Sequence, residues 1–231
     1  MPRKPHRALR FPERIASTTS GLATDCVSHI LAAMVEIEDL TFANRNRMRL
    51  TEAKDALALR VGRNVLLFQQ LERHLKLLVI EGEFAGPVAK IQASQIERKQ
   101  FVSKQTLGSV TGEFFERNHP NYDLDFKPPE DVVEAYLGFN FVAYDSYEEW
   151  DERKATLRNL VSERNELVHH FLDRVDHRSV ASLLEASKFL DDQSERIRQE
   201  VLYFGQIIEL LLKARQELGG GIARHFDGRE K

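Results

Sequence analysis

The sequence predicts an all-α protein: a four-helix-bundle core, an additional N-terminal helical segment, and a long irregular connection between the second and third bundle helices. Three observations carry this. Only 12 glycines and 7 prolines occur among 231 residues, and they cluster where connections are needed, so helices can run long. Through several stretches apolar residues recur at steps of three, four and seven, the period of one helical face. With 42% hydrophobic and 30% charged residues, the chain can fill one sizeable core and solvate the outer faces.

Residues 1–50 read as a basic and helical extension. Its first 14 residues carry 5 basic side chains against 1 acidic, and Ser20-Gly21 precedes a helix from Leu22 to Thr41 with Val27, Ile30, Leu31, Met34, Ile37 and Leu40 on one side. The bundle occupies 51–217. Its first helix runs from Thr51 to Glu81 on Leu57, Val61, Phe68, Leu71, Leu75 and Leu78; Glu81-Gly82 closes it and Gly86-Pro87 forbids its continuation. A second runs from Ser94 to Asn118, with Phe101, Leu107, Val110 and Phe114 or Phe115 as its apolar side, interrupted by Gly108 and Gly112. The segment HPNYDLDFKPPED (119–131) is a loop, since three prolines and several Asx residues favour turns. The aromatic run YLGFNFVAYDSYEEW (136–150) has short β character.

The third helix extends from Tyr147 to Val175 on Trp150, Leu157, Leu160, Val161, Leu167, Val168, Phe171, Leu172 and Val175. The fourth extends from Val180 to Leu218 on Leu183, Leu190, Ile197, Val201, Phe204, Ile208 and Leu211. Gly219–Gly221 stops it, leaving 218–231 as a mobile tail.

The formal net charge of −3 excludes a polybasic nucleic-acid coat. Charge is nevertheless segregated: between Glu113 and Glu152 stand 12 acidic and 2 basic residues, a local balance of 2 − 12 = −10. The bland reading is solvated surface. The sharper one has Arg45, Arg47, Arg49, Arg60 and Arg63 meeting phosphates while the acidic loop meets another partner. A single cysteine, Cys26, allows no internal disulfide. The basic start lacks the apolar stretch of a secretory signal, and no run approaches the roughly 20 apolar residues of a membrane span, so a cytoplasmic protein without a membrane partner is expected. No zinc-ribbon cysteine spacing, P-loop, GxGxxG, GxSxG or HExxH occurs, and no cofactor is expected.

The segment LVSERNELVHHFLDRVDH (160–177) carries the chemistry. Arg164 projects from the apolar face of the third helix, in phase with Val161, Val168 and Phe171, where a bundle normally places Leu. An ion pair with a Glu on a neighbouring helix is the structural explanation. His169 and His170 lie about 140° and 240° around the helix from Arg164, so one chain does not present all three on one face. Two copies meeting across a dimer could bring Arg and His to one phosphate. A rival reading keeps the helix intact and places His170, Asp173 and His177 at i, i+3 and i+7 for a transition metal, with help from another helix.

RNELVHHF resembles the signature of HEPN-superfamily domains, in which an Arg followed by a polar residue precedes a His with four to six residues between. Here the Arg is Arg164, the follower Asn165, and four residues separate Arg164 from His169. The resemblance extends to the four-helix layout, to the upstream helix GRNVLLFQQLERHLKLL and to a TLG turn at Thr106 to Gly108, covering 51–217. It implies a metal-independent endoribonuclease of a toxin–antitoxin or phage-defence system, acting on RNA as a homodimer through paired third helices. His169 would then transfer protons, Arg164 stabilise charge on the phosphorane, Asn165 orient a neighbour or a phosphate, and His170 supply a second proton-transfer group. In one HEPN toxin group a Tyr two positions after the His is adenylated by a nucleotidyltransferase antitoxin. Phe171 stands here and has no hydroxyl, so restraint is expected from a partner protein or from the acidic segment, and no adenylate on Tyr144 or Tyr147. A noncatalytic helical adaptor binding a partner protein or nucleic acid is the alternative of a different class.

Overall fold

The computed structural model describes the backbone of residues 19–119, 134–143 and 146–227, and the side chains of 36, 41, 42, 44–119, 134–143 and 146–220. The protein is all-α. Helices α1 (Thr19–Glu81), α2 (Val88–Ser103), α3 (Leu107–Arg117), α4 (Tyr147–His169) and α5 (Val180–Asp227) are joined by one two-stranded sheet, β1 (Glu83–Pro87) with β2 (Tyr136–Asn140). The chain divides into two compact units, 1–51 and 52–231. In the first, α1 is already helical from Thr19, so the helix expected at 22–41 and the one expected from Thr51 are one continuous element, with no Pro or Gly after Gly21 to separate them.

In the second unit α1 buries Ala53, Leu57, Phe68, Leu71, Leu75 and Leu78. It ends where the Gly82 N–H donates to the Leu78 carbonyl at 2.8 Å; a Cβ at Gly82 would stand 2.5 Å from that oxygen, so the turn requires glycine. The chain leaves extended as β1, which pairs antiparallel with the aromatic run as β2, Phe84 opposite Phe139 with stacked rings 5.4 Å apart.

The helix expected over 94–118 is two helices. Its break lies at Lys104–Thr106 rather than at the glycines: Lys104 closes α2, and the Thr106 hydroxyl caps α3 by accepting from the Ser109 N–H. Gly108 sits inside α3, where a Cβ would come 3.4 Å from the Val161 side chain, so it permits close packing on α4. Phe101, expected in the apolar face, is exposed; Leu107, Val110, Phe114 and Phe115 are buried.

Ser146 caps α4 by accepting from the Glu149 N–H at 3.2 Å, with Glu148 and Glu149 in the first turn where the helix dipole favours them. The Trp150 indole fixes α4 on α3 by donating to the Phe115 carbonyl at 3.1 Å. The third helix ends at His169, not Val175: a 3-10 turn over Leu172–Arg174 follows, which still buries Phe171 and Val175. α5 contributes Leu183, Leu190, Ile197, Val201, Phe204 and Leu211 to the core, and Phe204 meets Phe114 edge-on at 5.4 Å. Gly219–Gly221 does not stop α5, which runs on to Asp227; a helical glycine costs about 1 kcal/mol, and the residues after it are helix-compatible. Most of the expected loop 119–131 lies outside the described residues, as do Tyr144 and the last residues of the expected tail.

Candidate active site at the end of α4

Arg164 is in helical phase with the buried Leu157, Leu160 and Leu167, but it is half-buried at the margin of the core. It borders a small recess of about 60 Å³ formed with Val65, Phe68, Gln69 and Glu72 of α1 and Leu107 of α3. Val168, assigned to the apolar face from sequence, is 49% exposed, because α4 stops one residue later and none of the described residues covers its last turn. The ion pair that a neighbouring Glu would offer Arg164 is not made among the described residues. Glu72, in the same recess, takes Lys76 at 2.7 Å instead. Among the described residues the Arg164 guanidinium donates only to Asn165 Oδ1, at 3.1 Å. It is therefore a held cation whose remaining donors no described residue takes, as an anion site requires.

His169 is the last residue of α4 and His170 its C-cap; both are exposed, with ring centroids 6.2 Å apart. The His170 N–H donates to the Glu166 carbonyl at 2.9 Å, and Glu166 holds Arg174 at 2.6 Å, which ties the following 3-10 turn back to α4. Neither imidazole bonds to Arg164 within the chain. The i, i+3, i+7 alignment required for His170, Asp173 and His177 fails because the helix ends first, and no group of three or more His, Cys, Asp or Glu suited to a metal occurs among the described residues.

Beside the motif lies a cavity of about 320 Å³ between α4 and α5, lined in part by Glu163, Glu166, Glu185, Arg174 and Phe189. Its three carboxylates make it a poor receptor for phosphate. The basic residues expected to bind phosphate divide. Arg60 and Arg63 are claimed by Asp191 at 3.0 and 2.7 Å, and these two guanidinium hydrogen bonds, that of Arg63 foremost, hold the Asp191 carboxyl below its ordinary range. Arg45, Arg47 and Arg49 are exposed in the first unit.

Sequence reasoning missed a buried polar chain at the same level. Asn64, fully buried, donates to the Leu190 carbonyl at 2.8 Å and to Gln193 Oε1 at 2.9 Å, and accepts from Arg63. Gln193 passes the chain to Glu163, which also takes Arg196 at 2.9 Å. The signal was present: Asn64 occupies a core position between Leu57 and Phe68, as conspicuous there as Arg164 is on α4. The chain fixes Glu163, and with it the turn that carries Arg164 and Asn165.

Comparison with protein-family models, with curated proteins and with solved structures finds no match for this chain. Among the described residues no helix is long and apolar enough to cross a membrane.

Proposed function

We propose that the protein is a metal-independent endoribonuclease, of the kind used as toxins or phage-defence effectors, with Arg164, Asn165, His169 and His170 as its reacting group. The single observation that carries this reading is an anchored arginine with no carboxylate partner among the described residues, five and six positions before two exposed imidazoles at a helix end. In the reaction an imidazole takes the proton of the RNA 2′-OH, the 2′ oxygen bonds to phosphorus, and the bond to the 5′ oxygen breaks as a second acid protonates it. The products are a 2′,3′-cyclic phosphate and a 5′-OH. Arg164 would neutralise charge on the phosphorane, the function for which a guanidinium with free donors is suited. Asn165, bonded to it, would fix its orientation. Because Arg164 and the two histidines point to different sides of α4, two chains sharing a cleft unite them more readily than one.

The test is cleavage of mixed RNAs in EDTA by the full chain, beside Arg164→Ala and His169→Ala. Cyclic-phosphate ends from the parent and a loss of about 100-fold or more in each variant are expected. Activity lost in EDTA and restored by a divalent ion would refute the metal-free chemistry. No cleavage under any condition, with RNA still bound, would favour the adaptor reading. Phe171 is buried and has no hydroxyl, so control falls to a protein partner or to the acidic segment 113–152 rather than to modification at that position.

A further inference from the structure

Helix α1 carries two stripes. The inner one, with Leu57, Asn64, Phe68 and Leu75, faces the core. On the opposite side, about 170° around, Glu52, Asp55, Leu59, Gly62, Leu66 and Arg73 fall within about 80° of one another, and every one is exposed. Leu59 is 76% and Leu66 66% exposed, and between them Gly62 opens a shallow apolar depression. None of the described residues calls for that glycine: a Cβ built there meets none of their atoms within 4 Å, and a glycine in a helix interior costs about 1 kcal/mol relative to alanine. A missing side chain between two bare leucines suits the close approach of another helix.

The charges specify which helix. The acidic residues stand at one end of the stripe and Arg73 at the other, and none is ion-paired among the described residues. A parallel copy would set Arg73 on Arg73 and Asp55 on Asp55. An antiparallel copy does the reverse: the midpoints are (52 + 73)/2 = 62.5 and (55 + 73)/2 = 64, so a two-fold axis beside Gly62 places Glu52 and Asp55 against the second copy's Arg73 while the leucines meet in the middle. The exposed leucines of α5 lack this order. Leu184 and Leu202 are separated along their face by Lys188, Asp191, Glu195 and Arg198.

We infer that the occupant of this stripe is a second copy of the chain, docked antiparallel through α1, rather than through α4 as a shared site alone would suggest. The stripe from 52 to 73 gives a seam about 32 Å long at 1.5 Å per residue. The exposed Val168 and Leu172 widen it, since Val168 shares a recess with Val65 and Gln69, and Leu172 a groove with Ala58 and Val61. The pairing would set both Arg164 segments along the flanks of one seam. It stands on α1 alone and is read by mass, so its fate is separate from that of the ribonuclease reading.

The experiment is sedimentation of the full chain. Twice the monomer mass is expected for the parent, and monomer for Leu59→Glu, Leu66→Glu with an unchanged helical spectrum. Asp55→Arg and Arg73→Asp should each weaken self-association about tenfold, and an equimolar mixture of the two should recover it as a heterodimer, because each reversed charge then meets its opposite. In a Cys26→Ser background, Gly62→Cys should cross-link on mild oxidation and Ser162→Cys, on α4, should not. A parent that is monomeric throughout the micromolar range, a dimer indifferent to Leu59→Glu, or a cross-link at Ser162→Cys alone would each overturn the proposal. So would a parent that stays monomeric and uses the stripe to hold a different protein or a lipid surface.

Discussion

Two arginines on the inner side of α4 meet opposite fates. Arg153, near the start of the helix, donates to Glu200 at 2.7 Å and lies 3.9 Å over the Tyr203 ring, closing a pair whose acid is buried. Arg164, three turns on and also half-buried, has only its neighbour Asn165 among the described residues. The same residue type at the same helical phase is thus consumed by the fold at one end and left available at the other. The difference teaches where to look for function: a charge matters for its missing partner more than for its presence.

Stability separates the two most strongly. Arg153→Ala strands the buried Glu200 carboxylate and should cost about 3 kcal/mol, a fall of roughly 6–12 °C in Tm for a chain of this size. Arg164→Ala breaks no ion pair among the described residues and should cost no more than about 1 kcal/mol, while the proposed ribonuclease activity falls about 100-fold or more. Calorimetry of the two variants side by side checks this, and an Arg164 loss as large as that of Arg153 would assign Arg164 to the fold.

The next effect sits between them. Asn64→Leu removes the centre of the buried polar chain and leaves the Leu190 carbonyl and the Gln193 amide short of partners, at about 2–3 kcal/mol. Because Gln193 also holds Glu163, next to Arg164, the proposed ribonuclease activity should fall in this variant at temperatures where it remains folded. Denaturant unfolding and cleavage measured on the same preparation test both halves.

The α class and the long helices were legible because each core seam repeats over many turns. Boundaries were less so. Thr106 and Ser146 each start a helix through one hydroxyl, a local bond that apolar period does not register, and the end of α4 at His169 is hidden because Phe171 and Val175 keep apolar phase through a 3-10 turn. The residues of the candidate site could be read from the motif. That Arg60 and Arg63 are spoken for could not, since their partner Asp191 lies more than 120 positions away on another helix.

The smallest effect concerns pH. Burial raises the Glu200 carboxyl above its ordinary range, and the Arg153 charge and hydrogen bond only partly oppose this. The folded chain therefore holds that proton more tightly than the unfolded chain. Stability contributed by protonated Glu200 is complete below the unfolded carboxylate range and is lost as pH rises through the folded value. Glu200→Gln keeps an acceptor for Arg153 but cannot ionise, so the difference in unfolding midpoint between variant and parent should move in favour of the variant as pH climbs from 4 towards neutrality. Asp191 does not mask this, because its lowered value gives the opposite slope and is present equally in both proteins. A difference that stays flat across that range would mean that Arg153 satisfies Glu200 in full, and the two ends of α4 would then differ in partner alone and not in the cost of holding charge.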